Sequence, residues 1–471
     1  MAVFSFDELL TLEGACFSGK APESQCFSIS TDSRNLGPGD LYLALKGERF
    51  DGHSFVAQAL RNTTLAIVER AQVEAIESAL GALIDSVGLI AVPDTLAAYQ
   101  GLAQLHRHKA AIKVIGITGS SGKTTTKEMT AAALGRGRRV HKSKANENNE
   151  IGVPKTILSM PDDTEVLILE MGMRGLGQIA ELAACGMPDI GIITCAGSTH
   201  IELLGSRENI ARAKSELLEF LDEEQGLAII GEPAEHLMAA VNRAYQGRVA
   251  VYEPVEVVAV DGQGTAFKLS NAPVQTADEF KVPALSQVYQ VRAHGLALIQ
   301  DAWCAVQAAL ACGLSPEQVA RGLADFAPVE GRGNSAASAR GAVIVDESYN
   351  ANPDSVRCAV EAICSQAYRQ PEKIVVLGEM AELGDYTQPL HRELGQWLKD
   401  KPLSLLVTVG SIAGEIAQGA AGASFAVTAV AEQGEALEIL SKRLSGNTCV
   451  MVKGSHCTNL DRLVRELHNL S

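Results

Sequence analysis

The sequence predicts an α/β protein of three domains, with a central sheet domain organised around a phosphate loop and a C-terminal, Rossmann-like, doubly wound sheet. Three observations predict it. An apolar run, Val114-Ile115-Gly116-Ile117, breaks into the turn Gly119-Ser120-Ser121-Gly122 and then into Lys123-Thr124-Thr125 and an Ala/Met/Leu-rich segment that stops at Gly135, which is the order strand, loop, helix. Beyond residue 330, aliphatic runs alternate with helical segments in the manner of a parallel sheet. The chain has 471 residues, too many for a single core, and its 46% apolar content with 4% aromatics and 43 glycines suits aliphatic strands joined by tight turns.

Residues 1–92 read as a small α/β module. In it Asp40 to Leu45 is a strand and Lys46 to His53 a loop rich in glycine and charge, while Thr31-Asp32-Ser33-Arg34 reads on its own as a polar turn. The second domain, 93–329, opens with a helical stretch after Asp94 that leads to the phosphate-loop strand. Glycines are needed in that loop because backbone N–H groups must close around an anion without Cβ clashes, and the new helix N-terminus adds partial positive charge. Gly119, Ser120, Ser121, Gly122, Lys123, Thr124 and Thr125 are therefore the residues expected to bind a nucleoside triphosphate, with Lys123 at the β/γ-phosphates and the Thr124 hydroxyl available to Mg²⁺. The usual first glycine of the motif is absent: Ile117 stands five positions before Gly122.

After the loop helix, Lys144 to Pro154 is an amide-rich loop that Pro154 is expected to stop. Its asparagines, Asn146 and Asn149 among them, suit either contacts to phosphate or substrate oxygens or a capped turn. The strand Glu165 to Glu170 ends on an acid, the layout that sets a Mg²⁺ ligand at the carboxyl edge of a parallel sheet, so Glu170 is the metal candidate. A second strand, Ile190 to Thr194, leads to His200 at the same edge, where an imidazole is either a cation ligand or a structural group. Further on come an amphipathic helix from Ser206 to Leu217, a hairpin over 256–270, and a helix from Asp301 to Cys312.

The small, polar, glycine-rich stretch after Pro328 is expected to be a hinge into the last domain, 330–471. Its strands are expected at Ala342 to Asp346, Ile374 to Gly378, Leu405 to Gly410, Phe425 to Val430 and Cys449 to Val452. A net charge of −16 gives no electrostatic support to a nucleic-acid or anionic-membrane partner. The first residues carry Asp7 and Glu8 rather than basic groups, and no run of eighteen apolar residues occurs, so a cytoplasmic protein without a membrane segment is expected. The ten cysteines form no C-x-x-C pair, which argues against zinc and disulfides and for reduced, mostly buried thiols.

Taken together, TDSR and ALKGERFDGH, GITGSSGKTTTKEM, NENNEIGVP, LEMG, HIELLGSRENIARAKSEL, DESYNANPDS, LGEMAELGD and VKGS resemble the Mur ligases, ATP-dependent amide-forming enzymes of peptidoglycan precursor synthesis. The likeness extends over nearly the whole chain. GERFD, YNANP and GEMAELG favour the member that adds D-alanyl-D-alanine to UDP-N-acetylmuramoyl-tripeptide through an acyl phosphate, a monomer using ATP and Mg²⁺. The resemblance implies that Lys123, Lys214 and His200 are catalytic, and that Thr124, Glu170, His200 and Lys214 serve Mg²⁺. It further implies that Lys214 is a carbamylated lysine aiding a second Mg²⁺, that Arg332 and Asp346 hold the nucleotide, and that Asp32, Ser33 and Arg34 grip the UDP part of the substrate. A sister ligase with another acceptor or amine, and a catalytically weak nucleotide-binding regulator, are the alternatives. One stretch departs from the pattern. Where the family carries G-R-H-N-x-x-N-A to seat the base, this chain has Gly295-Leu296-Ala297-Leu298-Ile299-Gln300-Asp301-Ala302.

Overall fold

The computed structural model describes residues 2–47, 50–261, 264–274 and 278–470. Glu48 and Arg49 of the GERFD string and Gly262 and Gln263 of the hairpin turn lie outside the described residues. The chain forms two compact units, one of Met1–Gly116, Arg139–Gly172 and Gln178–Asp189, the other of Ile117–Arg138, Met173–Gly177 and Ile190–Ser471.

The first unit contains a six-stranded sheet in the order Val3–Ser5, Cys26–Ser30, Asp40–Leu43, Leu65–Glu69, Gly88–Val92, Cys16–Gly19. Its four inner strands are parallel and its two edges antiparallel. Leu65-Ala66-Ile67-Val68 and Leu89-Ile90 are buried, as strands covered on both faces must be, which is why these segments read as unbroken aliphatic runs. The strand at Asp40 ends at Leu43 rather than Leu45, because Leu45 turns to accept the Gly52 N–H at 2.8 Å. Gly52 starts a short 3₁₀ turn through Phe55, and buried His53 there accepts the Glu69 N–H on Nε2 at 3.0 Å while Nδ1 meets Asp51 at 2.6 Å.

A second six-stranded sheet carries the phosphate-loop strand, in the order Arg248–Val251, Leu227–Ile230, Ile190–Ile193, Lys113–Thr118, Val166–Glu170, Val140–Lys142. Pro154 does not end the amide-rich loop. It lies in the first turn of a helix, Gly152–Leu158, where the missing N–H has no intrahelical partner to lose. The helix expected from Asp301 begins five residues earlier, as Leu296–Ala311, since Leu296 to Gln300 are adequate helix formers and Gly295 at φ 97° marks the turn before it. It packs along the phosphate-loop helix Lys123–Leu134. The hairpin strands Glu256–Asp261 and Gly264–Lys268 are antiparallel and are joined by Tyr289–Val291.

The last sheet runs Asn334–Ala337, Val343–Glu347, Thr448–Lys453, Glu372–Leu377, Leu405–Val409, Ala426–Val430. Five strands are parallel, as expected. The first is antiparallel and corrects the sequence reading, because Asn334–Ala337, taken for part of a hinge, pairs with Val343 to Asp346 as a short exposed edge. Along Thr448–Lys453, Cys449 and Met451 enter one core while Val450 and Val452 enter the other, so helices cover both faces and the sheet is doubly wound. Among the described residues no helix is long and apolar enough to cross a membrane. All ten cysteines are free, but Cys16, Cys26, Cys358 and Cys457 are exposed, against the expectation of mostly buried thiols. Exposure of a cysteine depends on which face its element presents, which the spacing of the ten did not contain.

Candidate active site

Strand Lys113–Thr118 delivers the loop, and the loop is held from behind. Ser120 N–H donates to Cys195 O at 3.0 Å, and Ser121 N–H to Cys195 Sγ at 3.4 Å. Ser120 Oγ accepts the Gly197 N–H at 2.9 Å, and the Ser120 carbonyl accepts from Thr199 Oγ1 at 3.2 Å. Two glycines are obligatory here. A Cβ on Gly119 would lie 1.8 Å from Thr194 Oγ1, and Gly122 sits at φ 81° with its Cβ position 2.6 Å from Asp301 Oδ1. Lys123 Nζ lies over the turn, donating to Gly119 O at 2.8 Å. The result is a rigid loop at the start of a twelve-residue helix, ready-made for an anion.

Of the departing stretch 295–302, only part faces outward: Leu296 is 62% exposed, whereas Asp301 is buried and accepts from Thr126 Oγ1 at 2.9 Å. Burial pushes the Asp301 carboxyl up to about 7, opposed by the Thr126 hydrogen bond and by the charge of Arg332. Asp301 therefore supports the loop helix. An acid whose pKa rises on folding keeps its full contribution below the unfolded value and loses it as pH rises through the folded one, here from about 4 to about 7. Asp301→Asn keeps an acceptor for Thr126 without the charge. It should raise the melting temperature at pH 8, by an amount equivalent to about 1–3 kcal/mol, and change it little at pH 4; thermal unfolding at the two pH values checks this.

Lys214 lies on the helix Arg207–Ser215, whose N-terminus is capped by Ser206 accepting from Asn209 N–H at 3.1 Å. Its side chain is buried, and burial first, then the neighbouring Lys123 charge, brings its ammonium down to about 7, with Cys195 opposing. His200 has a left-handed backbone, φ 63°, in the loop after strand Ile190–Ile193. Its Nδ1 is 2.9 Å from Glu382 Oε2, an ion-pair approach rather than an aligned hydrogen bond. That contact holds the Glu382 carboxyl below the usual range against the opposing effect of burial.

Glu170 ends the strand Val166–Glu170 and is buried, its Oε1 accepting from Asn148 Nδ2 at 3.0 Å and its N–H bonding Ser143 Oγ at 3.1 Å. The amide that reaches this acid is thus Asn148, not the singled-out Asn146 and Asn149. Asn149 caps the helix Gly152–Leu158 through its Oδ1, 2.9 Å from the Gly152 N–H, and Asn146 is exposed. Asp32 and Arg34 form the polar turn that the residues alone suggest. Arg34 Nε and Nη2 bond the two Asp32 oxygens at 2.8 Å each, and this pairing draws the Asp32 carboxyl down to about 2. Ser33, between them, is buried.

In the last domain Asp346 turns inward, accepting from Gly331 N–H at 3.0 Å, Ser348 N–H at 3.1 Å and Ser348 Oγ at 2.6 Å. Arg332 stacks 4.0 Å over the Tyr349 ring. Sequence reasoning missed Asp301 as a support of the loop and missed Asn352, Asp354 and Glu382, which lie in strings that were quoted without a role. An Asn-Pro-Asp order was the available signal, since Asn352 caps the helix Pro353–Cys364 with Pro353 at its first position.

Three family models match in succession: the Mur ligase family catalytic domain at 27–107, the Mur ligase middle domain at 117–279 and the Mur ligase glutamate ligase domain at 331–456. A UDP-N-acetylmuramoyl-tripeptide–D-alanyl-D-alanine ligase from Synechocystis is 37% identical over 93% of this chain and 91% of its own length. The crystal structure of MurF from Acinetobacter baumannii is similar with a TM-score of 0.85 and 30% identity, covering 99% of each chain. The MurF ligase of Thermotoga maritima in complex with ADP is similar with a TM-score of 0.78 and 25% identity, over 94% of this chain and 97% of that one. The chain belongs to the Mur ligase family, and its architecture is the three-domain one of that family.

Proposed function

We propose that the chain is the ADP-forming ligase that joins D-alanyl-D-alanine to UDP-N-acetylmuramoyl-tripeptide, acting as a cytoplasmic monomer, with domains close to 1–92, 93–329 and 330–471. What carries the reading is a prebuilt phosphate loop beside a buried lysine of lowered pKa, in a chain whose relatives of that name align over nearly its full length.

The γ-phosphoryl group of ATP passes to the terminal carboxylate of the tripeptide, and the dipeptide amine then attacks the acyl phosphate, releasing phosphate and leaving an amide and ADP. Such transfer between oxygens needs positioning and neutralised charge more than covalent help. The amides of 119–122 and the N-terminus of the loop helix hold the phosphates, and Lys123 moves from Gly119 O to the β/γ-oxygens. Asp32, Ser33 and Arg34 take the UDP end, Arg332 and Asp346 the nucleotide, and the amides of the Asn146 to Asn149 loop substrate oxygens. Among the described residues no three His, Cys, Asp or Glu side chains group as a metal cage, so a cation here draws part of its shell from phosphate and water, as Mg²⁺ does beside ATP. Thr124, Glu170, His200 and a carbamylated Lys214 would hold it; the donor set is mainly oxygen, which fits that ion. When bound, it neutralises charge on the moving phosphoryl group.

Lys123→Ala should leave the fold intact and cut the rate of ADP release in the presence of both peptide substrates by several powers of ten. A variant keeping more than about a tenth of wild-type activity contradicts the role.

Carbamate formation needs a free amine: Lys214 Nζ attacks CO₂, a C–N bond forms and a proton leaves. Burial beside Lys123 supplies that amine near pH 7. Removal of dissolved CO₂ should lower activity, and bicarbonate should restore it. ¹³C-bicarbonate should give a carbamate resonance that Lys214→Ala lacks, while a short carboxylic acid partly rescues that variant. Full activity in Lys214→Arg would reduce the lysine to a structural charge.

With no Asn or His in 295–302 and Asp301 turned to Thr126, nucleotide affinity rests on the phosphates. An apolar slot discriminates by about 1–3 kcal/mol, so GTP or ITP should support the reaction within roughly a hundredfold of ATP in kcat/KM. Strict ATP selectivity would mean that strand tips of the last domain read the base.

A further inference from the structure

Residues 197–199 are bonded on both sides. Toward the phosphate loop, Gly197 N–H donates to Ser120 Oγ at 2.9 Å and Thr199 Oγ1 to Ser120 O at 3.2 Å. Toward the last domain, Ser198 N–H and Oγ both donate to Asp354 Oδ2, at 2.8 and 2.9 Å, and Thr199 Oγ1 accepts from Asn352 Nδ2 at 2.8 Å. Ser198, Thr199, Ser120 and Asn352 are all buried. Asn352 is itself fixed, because its Oδ1 caps the helix Pro353–Cys364 by accepting from Ser355 N–H at 2.8 Å. One hydroxyl, that of Thr199, therefore joins the carbonyl of a phosphate-loop residue to the N-cap of a helix in another domain.

We propose that Asn352 and Asp354 are positioning residues for the phosphate loop, which through residues 197–199 make the loop's geometry depend on docking of the last domain. Buried polar groups that lose a partner cost far more than exposed ones, so undocking leaves Ser198 N–H and the Thr199 hydroxyl seeking new partners. Ser120, bonded to both ends of that segment, is then held only through its N–H bond to Cys195 O. Coupling of this kind is reciprocal: a nucleotide seated on the loop favours docking, and docking tightens nucleotide binding. The inference rests on the reading of residues 119–125 as the nucleotide's phosphate site.

Calorimetric titration of the full chain with ADP tests it, using Thr199→Val, which keeps the shape and removes both hydroxyl bonds, Asp354→Asn, and the pair. Each single variant should bind ADP about 5- to 50-fold more weakly, within the usual span of coupling. The double variant should be no more than about twofold worse than the weaker single one, since both break one connection. In nucleotide-free protein, Asp354→Asn should speed amide hydrogen exchange at 119–122 as well as at 197–199. If Thr199→Val fails to fold, Ser198→Ala, which removes one of the two bonds to Asp354, should give a smaller loss of the same kind. Affinities within about twofold of wild type, losses that multiply in the double variant, or faster exchange confined to 197–199 would each overturn the proposal. A wild-type protein that does not bind ADP would instead overturn the nucleotide-site reading, so the two failures are distinct.

Discussion

Two ammonium groups close together in a buried place cannot both stay charged, and the site's chemistry follows from how this chain resolves that conflict. Lys123 has the loop carbonyl of Gly119 to hold, whereas Lys214 is buried and has its charge opposed by both desolvation and Lys123. Against Gly122 and Thr126 of the loop and its helix, Asp301 meets the mirror-image problem and is raised to about 7. The phosphate loop is thus flanked by an amine and an acid whose usual ionic forms are both disfavoured. A triphosphate brings several negative charges into that setting. A neutral acid and a cationic Lys123 are the states that receive them best, and a carbamate on Lys214 would change the second lysine from a repelled cation into an anion able to share a metal.

The same logic explains why the loop is backed by neutral groups. Cys195, Thr194, Thr199 and the Gly197 amide hold it through hydroxyl, thiol and backbone atoms. Two further acids, Glu382 and Asp354, sit on the last domain and engage His200 and Ser198.

Local signals made the fold legible. The strand, loop and helix around Gly119 to Lys123 and the aliphatic runs of the last domain follow from periodicity and glycine placement within a few residues, and they stand as read. Errors arose where a distant partner decides. Asn334–Ala337 has the composition of a linker and becomes a strand only because Val343–Glu347 offers it an edge. Pro154 looked like a stop, yet a proline in a first helical turn loses nothing. Asp301 is legible in the sequence only as part of a stretch that departs from the family's base-seating pattern, and its contact with Thr126 depends on how two helices pack. Lys214 is an ordinary helical lysine until its burial is known, so the sequence singles it out only through family likeness; the burial that lowers its ammonium is visible only in the fold.

The thiol of Cys195, seated against Ser121 behind the phosphate loop, has a consequence of a different kind. The thiol is buried, and burial pushes its pKa up, so the reactive thiolate is scarce. Alkylating agents and mild oxidants should spare this thiol and react at the exposed Cys16, Cys26, Cys358 and Cys457. With Cys358 and Cys457 replaced, Cys16 and Cys26 on strands of the N-terminal sheet would carry a spectroscopic label away from the phosphate loop.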